Sequence, residues 1–238
     1  MKIDAESCIA CEQCLSYCPM EAIRMADGFA EIDADECVEC GVCYRAKVCP
    51  ADCFREETHA WPRSIRAIFS NPLFEHKETR VPGRGTEEMK TNDVTGVYGK
   101  GIVGMTAEMG RPGVGTRFHD VQKVAQALAG AGVQFAEKNP VTFLMADKKT
   151  GTLKPEVLGE KVLSAMIECL VPEKNIPVVI QKLKEVAPKI DTVFSLDIIT
   201  RLPADGAIPW MKVVSELKVP VSINGKSNVG LGRPLAEV

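Results

Sequence analysis

The sequence has few aromatic residues, few histidines and no long apolar run. Only three of its 238 residues are His. Only 5% are Phe, Trp or Tyr, so an aromatic platform for single-stranded nucleic acid is not expected. The net charge of −3 comes without a basic stripe of the kind that follows a phosphate backbone. No apolar stretch approaches the roughly 20 residues of a membrane-spanning helix, and the N-terminal residues lack the apolar segment of a secretory signal. We therefore expect no nucleic-acid partner, no membrane span and no secretion.

Cysteine is abundant, by contrast, and eight of the ten cysteines form two dense runs. The first run has the spacing C-x2-C-x2-C-x3-C-P and consists of Cys8, Cys11, Cys14 and Cys18. The second run, also closed by proline, consists of Cys37, Cys40, Cys43 and Cys49. Thiols this close in sequence cannot form disulfides among themselves without strain, but they have the spacing of iron–sulfur ligands. Structural zinc sites use two C-x2-C pairs instead of two triplets each followed by Cys-Pro.

The two runs belong to an internal duplication. Corresponding cysteines are 29 residues apart before the fourth position and 31 residues apart at it, so the second run has two extra residues between Cys43 and Cys49. The duplication aligns Cys53 with Ala22, which is a small packing position. We therefore favour Cys49 as the fourth thiol and leave Cys53 as the alternative. Between the two halves, Asp27-Gly28 predicts a hairpin turn.

Residues 1–57 resemble a bacterial-type ferredoxin that carries two [4Fe-4S] clusters. In that family the fourth cysteine of each run binds the other cluster. The resemblance implies that one cluster is held by Cys8, Cys11, Cys14 and Cys49. It implies that the other is held by Cys37, Cys40, Cys43 and Cys18.

Charge is unevenly divided along the chain. Residues 1–57 contain 13 acidic and 5 basic side chains, whereas the remainder contains 19 acidic and 24 basic ones. An acidic electron carrier associates fastest with a basic docking face, because opposite charges steer the encounter. The division therefore predicts a docking partner for the N-terminal part.

Residues 58–96 form a stretch with repeated prolines and no regular apolar period. Such a stretch is either a solvated linker or an arm that packs on its own chain or on a partner subunit. Trp61, Ile65 and Phe69 are too apolar for a solvated linker. We therefore favour a packed arm.

Residues 97–238 alternate between strand and helix patterns, which predicts an α+β class with a split βαβ sandwich. The predicted strands cover 97–108, 133–135, 141–145, 162–170, 192–200 and 219–223. The predicted helices cover 117–129, with Thr116 as N-cap, then 176–186 and 210–217. The first strand, the loop Arg111–Gly115 and the helix ending at Gly132 resemble the start of an ACT-type regulatory domain. That resemblance implies small-molecule binding or dimerisation through edge strands.

Two further motifs in this part allow two readings each. The stretch Gly99–Gly104 matches G-x-G-x-x-G, but strand-like residues follow it where dinucleotide binding needs a helix. Its glycines are better explained by a close approach of another backbone. The loop Gly110–Thr116 is flanked by Arg111 and Arg117, which could hold a carboxylate or phosphate. The alternative is an ordinary loop with surface arginines.

These patterns favour a non-catalytic electron-transfer subunit that passes electrons through two [4Fe-4S] clusters to or from a partner oxidoreductase. By analogy the partner would be a tungsten-type enzyme, in a hetero-oligomer. So many thiols in ligand spacing indicate a reducing compartment, so we expect the cytoplasm of an organism that grows without oxygen. One alternative is an ACT-like protein that senses redox state or a ligand. Another is a component of anaerobic sulfur transfer, although the sequence shows no spare reactive cysteine for it.

Overall fold

A computed structural model describes residues 1–80, 99–111, 113–200, 205–208 and 210–222. Helices and strands are mixed along the chain, which confirms the α+β class. The buried apolar residues form two separate cores, a small one within the N-terminal part and a large one within the C-terminal part. Within the described residues, no helix combines the length and apolar character that crossing a membrane requires.

The N-terminal part is built from two short antiparallel pairs and one helical turn. Strand β1 (Lys2–Ile3) pairs with β4 (Phe54–Arg55), and β2 (Ile23–Ala26) pairs with β3 (Phe29–Ile32). The turn between β2 and β3 is made by Asp27 and Gly28, both with positive φ, as the sequence predicts. Helix α1 (Val42–Arg45) lies in the second cysteine run.

The core of this N-terminal part contains few ordinary apolar side chains. Its buried members are Cys14, Ile23, Ala30 and Phe54. Cysteines make up a large share of the partly buried residues around it, namely Cys8, Cys18, Cys43 and Cys49. A domain this small rarely folds on apolar burial alone and commonly needs a bound metal or another cross-link. The interior of this part, which is rich in cysteine, is the expected site of such a metal centre.

The C-terminal part is organised around a four-stranded sheet. Its strands are β5 (Ile102–Met109), β7 (Gln134–Phe135), β11 (Ala165–Pro172) and β12 (Phe194–Ile199). The order across the sheet is β12-β5-β11-β7, and every neighbouring pair is antiparallel. Numbered along the chain, the four strands therefore lie in the order 4-1-3-2.

Two long helices cover the sheet. Helix α3 (Phe118–Gly130) follows the short strand β6 (Thr116–Arg117), and helix α5 (Ile176–Val186) follows β11. Both bury residues spaced three and four apart, which places one apolar stripe of each helix in the large core. The remaining strands are β8 (Met145–Asp147), β9 (Thr152–Leu153) and β10 (Lys161–Val162). The remaining helices are α2 (Ile65–Ser70), α4 (Pro140–Phe143) and α6 (Met211–Glu216), with single 3-10 turns at Leu15–Tyr17, Pro155–Val157, Glu173–Asn175 and Ala187–Lys189.

Helix α2 carries the described portion of the arm into the large core. Ile65 and Phe69 are both buried there, and the ring of Phe69 meets that of Phe118 edge to face at 5.2 Å. Helix α2 of the arm is therefore packed on its own chain. Residues 81–96, which the arm prediction also covers, lie outside the described residues.

The strand predicted at residues 141–145 is wrong, because a helix occupies most of it. Asn139 caps helix α4 by accepting hydrogen bonds from the N–H groups of Val141 and Thr142, and Pro140 occupies the first turn. This start signal outweighs the strand propensity of the Val-Thr-Phe run. Strand β8 begins only at Met145.

Two other predicted features also differ from the structure. Thr116 does not cap helix α3, because it pairs with Val162 in a short ribbon and the N-cap position falls on Arg117. Residues 219–222 form no strand, and residue 223 lies outside the described part. The helix predicted at 176–186 matches α5 at both ends.

Candidate metal centres

One group of thiols lies at the small core of the N-terminal part. Cys14 is buried in that core, and Cys8 and Cys49 pack against it, although Cys49 is 35 positions from Cys14 in the sequence. Burial raises the pKa of Cys14, and the charges of Cys11, Cys8 and Cys49 raise it further. Three of the four residues predicted for the first cluster therefore belong to one core.

A second group of thiols lines a cavity. Both cysteine runs contribute to its wall, which includes Cys18, Cys37, Cys40 and Cys43. Burial and the neighbouring thiols raise the pKa of Cys43 to about 12, and burial raises that of Cys37 to about 11. Because a buried thiolate needs a positive partner, this cavity suits a metal centre that binds thiolates. The four residues are those predicted for the second cluster.

Within the described residues, no three Cys, His, Asp or Glu side chains converge closely enough to hold a single metal ion. A four-iron cluster makes a different demand, because each of its four ligands attaches to a different iron. The fit therefore depends on four thiols around a larger volume, and four thiols of the second group line one cavity.

The two cysteine loops share one backbone conformation. Ala10 and Glu12 have positive φ in the first loop, and Glu39 and Gly41 have positive φ at the equivalent positions of the second. Left-handed residues at these positions reverse the chain between consecutive cysteines. The duplication is therefore structural as well as sequential.

Backbone N–H groups face several of the sulfurs. The amide of Ala22 donates to Cys18 Sγ at 3.2 Å, and that of Ala30 donates to Cys8 Sγ at 3.4 Å. Hydrogen bonds to ligand sulfurs stabilise negative charge and help set the potential of a bound cluster. These amides therefore favour thiolate ligands at both groups.

Cys49 and Cys53 lie side by side, with their sulfurs 3.1 Å apart. Burial raises the pKa of Cys53 to about 12, and the neighbouring Cys49 adds to the shift. Burial also opposes ionisation of Cys49, but donation from the Cys53 amide and thiol lowers its pKa overall. The amide of Cys53 donates to Cys49 Sγ at 3.4 Å, which stabilises a thiolate at Cys49.

Two arginines of the arm hold the segment that leads into the second run. Arg66, which is 4% exposed, donates from Nη1 to the carbonyl groups of Ala34, Asp35 and Cys37 at 3.1, 2.8 and 2.7 Å. Its Nε forms an ion pair with Glu160. One buried guanidinium thus links the second run to the C-terminal part.

Arg63 of the arm forms a similar bridge to the N-terminal part. It donates to the carbonyl of Ala34 and to the carboxylate of Glu39, each at 2.7 Å. Glu39 also accepts from the N-terminal ammonium at 2.7 Å. Although burial opposes ionisation of Glu39, these partners lower its pKa overall. Glu39 therefore remains charged beside the second run.

The ribbon of β6 and β10 places two cations opposite acids that precede Cys37. Arg117 and Lys161 are direct partners across the ribbon. Arg117 contacts Asp35 and Glu36, each at 2.7 Å, and Lys161 also pairs with Glu36. The hydrogen bond from Arg117 lowers the pKa of Asp35. Two cations of the C-terminal part therefore neutralise the acids that precede the second cysteine run.

The predicted anion site at Arg111 and Arg117 stays a prediction. The two guanidiniums contact different carboxylates of the chain itself, Arg111 with Glu108 at 3.2 Å and Arg117 with Asp35 and Glu36. Gly115, in the loop between them, lies against Met20, so that an added Cβ would be 2.7 Å from the Met20 sulfur. The loop thus also contacts the N-terminal part through Met20.

Sequence reasoning missed Arg63, Arg66 and Lys161 as supports of the second run. The available signals were the two arginines three residues apart in the arm and the acidic pair before Cys37. Neither signal names its partner, because the contacts span up to 125 positions of sequence. Only the tertiary structure joins them.

Comparison with known proteins covers the N-terminal part. Residues 1–50 match the family model described as a 4Fe-4S dicluster domain. A ferredoxin-like protein in the nif region of Azotobacter vinelandii is 44% identical over 48 residues, which are 20% of this chain and 52% of that protein. One subunit of the ion-translocating oxidoreductase complex of Methanosarcina acetivorans is 44% identical over 43 residues, which are 18% of this chain and 16% of that protein.

Pyruvate synthase subunit PorD of Methanothermobacter marburgensis is 38% identical over 55 residues, which are 23% of this chain and 62% of that protein. The matched segment of the chain thus spans between about a sixth and two thirds of the length of these relatives. No solved structure matches the chain. Residues 1–50 are a ferredoxin-type 4Fe-4S dicluster domain.

Proposed function

We propose that the chain is an electron-transfer subunit that carries two [4Fe-4S] clusters and exchanges electrons with a partner oxidoreductase. The observation that carries the proposal is the cavity to which both cysteine runs contribute thiols. The proposed ligands of the first cluster are Cys8, Cys11, Cys14 and Cys49. The proposed ligands of the second are Cys18, Cys37, Cys40 and Cys43.

Bound clusters of this kind supply one-electron oxidation and reduction. The protein supplies the thiolates, and the amides of Ala22 and Ala30 donate to two of their sulfurs. Ile23 and Phe54 are buried in the same small core as Cys14. Arg66 fixes the carbonyl groups that precede the second run. We infer that these residues hold the thiolate ligands in place.

The names of two relatives support a role within a complex. One is a subunit of an ion-translocating oxidoreductase complex and the other is a subunit of pyruvate synthase. We infer a hetero-oligomer in which this chain is the non-catalytic electron carrier. A tungsten-type partner and a cytoplasmic, anaerobic setting are the finer parts of this proposal.

We also propose that the C-terminal part is a split βαβ sandwich of the ACT type. The strand order 4-1-3-2 and the alternation of β5, α3, β7, β11, α5 and β12 support it. The proposed boundaries are a cluster module at 1–57, an arm at 58–96 and the sandwich at 97–238. Arg117 and Lys161 give the sandwich a supporting role toward the cluster module.

Anaerobic reconstitution followed by a potentiometric titration tests the proposed function. We expect two one-electron reductions, each with the EPR signal of a reduced four-iron cluster. A chain that takes up iron but shows no reducible centre would refute it. Size-exclusion chromatography of the natively expressed chain tests the subunit role, because a stable monomer would leave a free carrier instead.

A further inference from the structure

The four-stranded sheet has two unlike faces. Side chains alternate between the faces along each strand, and Met105 and Ala107 of β5 lie in the large core. Thr106 and Glu108, which alternate with them, therefore lie on the opposite face, here called the outer face. The central strand β5 thus carries polar side chains on its outer face.

Carboxylates lie on the outer face of three adjacent strands. Glu168 of β11 and Asp197 of β12 are the two direct partners of Thr106 across the ladders. Directly opposite residues lie on the same face, with Cβ atoms about 4.5–5.5 Å apart. Glu108 lies on this face two positions further along β5, opposite Ser195 of β12. Three carboxylates therefore flank the position of Thr106.

Two of these carboxylates are buried and held in place. Glu108 is 6% exposed and Glu168 is 3% exposed. Asn139 donates to Glu168 at 2.8 Å, and Arg111 pairs with Glu108 at 3.2 Å. Like charges on neighbouring strands repel and buried charges are costly, so a sheet does not need this arrangement in order to fold. Departures of this kind are expected at functional sites.

The hydroxyl of Thr106 lies within this group without a partner. Thr106 is 1% exposed, and its Oγ1 forms no hydrogen bond with any residue that the structure describes. A buried hydroxyl that lacks a hydrogen bond destabilises the fold. Valine has nearly the same shape and would avoid that cost. The hydroxyl is therefore explained by a ligand that forms a hydrogen bond with it.

We propose that Thr106, Glu108, Glu168 and Asp197 form a binding site, here called the outer-face site, for an organic cation with a guanidinium group. The site goes beyond the proposed function, because it lies in the C-terminal part and uses none of the cluster cysteines. Ser195 is exposed and Asp197 is only partly buried, so a ligand reaches the site from the side of the edge strand β12.

The spacing of the carboxylates selects the kind of cation. Within the described residues, no three acidic, histidine or cysteine side chains converge on a single metal ion. Adjacent strands are about 4.8 Å apart, so Glu168 and Asp197 approach the site from positions about 10 Å apart. A guanidinium has five N–H donors in a planar arrangement that matches carboxylates. It can therefore donate to both carboxylates and to the Thr106 hydroxyl at once.

Calorimetry with agmatine, a small alkyl guanidinium, tests the outer-face site on the anaerobically reconstituted full chain. The variants are Thr106→Val, which removes the hydroxyl at nearly constant shape, and Glu168→Gln, which removes one charge. The matched control is Glu185→Gln, which neutralises an exposed carboxylate on helix α5. Putrescine, a diamine without a guanidinium, tests whether the planar donor group is required.

We expect saturable binding of one agmatine per chain by the wild type. Thr106→Val should weaken binding about threefold to tenfold and Glu168→Gln about tenfold or more. The control should bind within about twofold of the wild type, and putrescine should bind at least about fivefold more weakly than agmatine. Without ligand, Thr106→Val should unfold at a higher urea concentration than the wild type, because it removes an unpartnered hydroxyl. A hydroxyl with a purely structural role would give the opposite shift.

The absence of saturable binding by the wild type would overturn the outer-face site. Equal affinities of Glu168→Gln and the control would also overturn it, as would a Thr106→Val variant that is less stable but binds normally. Equal binding of putrescine would overturn the assignment to a guanidinium. A blocked tripeptide with a central arginine identifies the source of the group: tighter binding of the peptide than of agmatine indicates a protein side chain, and the reverse indicates a free small molecule.

Discussion

Arg66 offers the sharpest test of how the C-terminal part supports the second cysteine run. The substitution Arg66→Ala removes one buried guanidinium that donates to three carbonyl groups and pairs with Glu160. We expect the second run to loosen while the first run is unaffected. The reason is that all three carbonyl groups lie between residues 34 and 37, directly before and at the start of the second run.

The size of the effect follows from the contacts. A hydrogen bond to a charged group contributes about 1.5–3 kcal/mol, and removing one partner of a buried ion pair costs about 3–5 kcal/mol. Because these contributions overlap, we expect the substitution to lower the free energy of opening this segment by about 3–5 kcal/mol in total. Since about 1.4 kcal/mol is a factor of ten, iron loss that follows opening of this segment should accelerate about a hundredfold or more.

The assay is iron release to a chelator under anaerobic conditions at moderate urea. We expect two phases for Arg66→Ala, with half of the iron lost early and the other half at the wild-type rate. Arg66→Lys should release iron at a rate between those of the wild type and Arg66→Ala, because lysine keeps the charge but lacks the several N–H donors of the guanidinium. The control Arg24→Ala removes an exposed ion pair with Glu31 and should release all of its iron at the wild-type rate.

Single-phase release at the wild-type rate would show that Arg66 does not hold the segment. Equal acceleration of both halves would contradict an effect on the second run alone, since the contacts are confined to that run.

Four other predictions follow from named contacts. Cys49→Ala should lose half of the iron while Cys53→Ala keeps all of it, as measured by iron analysis; the opposite pattern would make Cys53 the ligand. Phe69→Ala should lower the free energy of unfolding by about 3–5 kcal/mol because it removes a buried ring packed on Phe118, whereas Phe74→Ala, at an exposed position, should leave the urea midpoint unchanged. Burial raises the pKa of Cys169 to about 12, so at pH 8 its thiol is protonated and should resist iodoacetamide until the chain unfolds; rapid labelling of the folded chain would show that it is accessible. Removing iron with a chelator should unfold the N-terminal part but spare the C-terminal helices, and complete loss of helical circular dichroism would contradict two separate cores.

The features that could be predicted from the sequence are those that depend on local spacing. The cysteine runs, the turn at Asp27-Gly28 and helix α5 each carry a signal within a few residues. Helix α4 was missed because Val, Thr and Phe favour strands, although Asn139-Pro140 is a helix-start signal. There the local cap decided the outcome and not the average propensity.

The supports of the second run could not be predicted, because they depend on distant pairs. Arg66 reaches Glu160 across 94 positions, and Lys161 reaches Glu36 across 125. The sequence shows an acidic module and a basic remainder, which predicts attraction in general. Which acid meets which cation emerges only from the fold.

We propose that the N-terminal part holds two four-iron clusters on thiols shared between the runs. Iron and sulfide analysis of the anaerobically reconstituted chain, combined with EPR of its dithionite-reduced form, measures the number of clusters. We expect about eight iron and about eight sulfide ions per chain, and a spectrum in which two nearby reduced clusters interact magnetically. About four iron ions, or a chain that binds zinc and no sulfide, would contradict it.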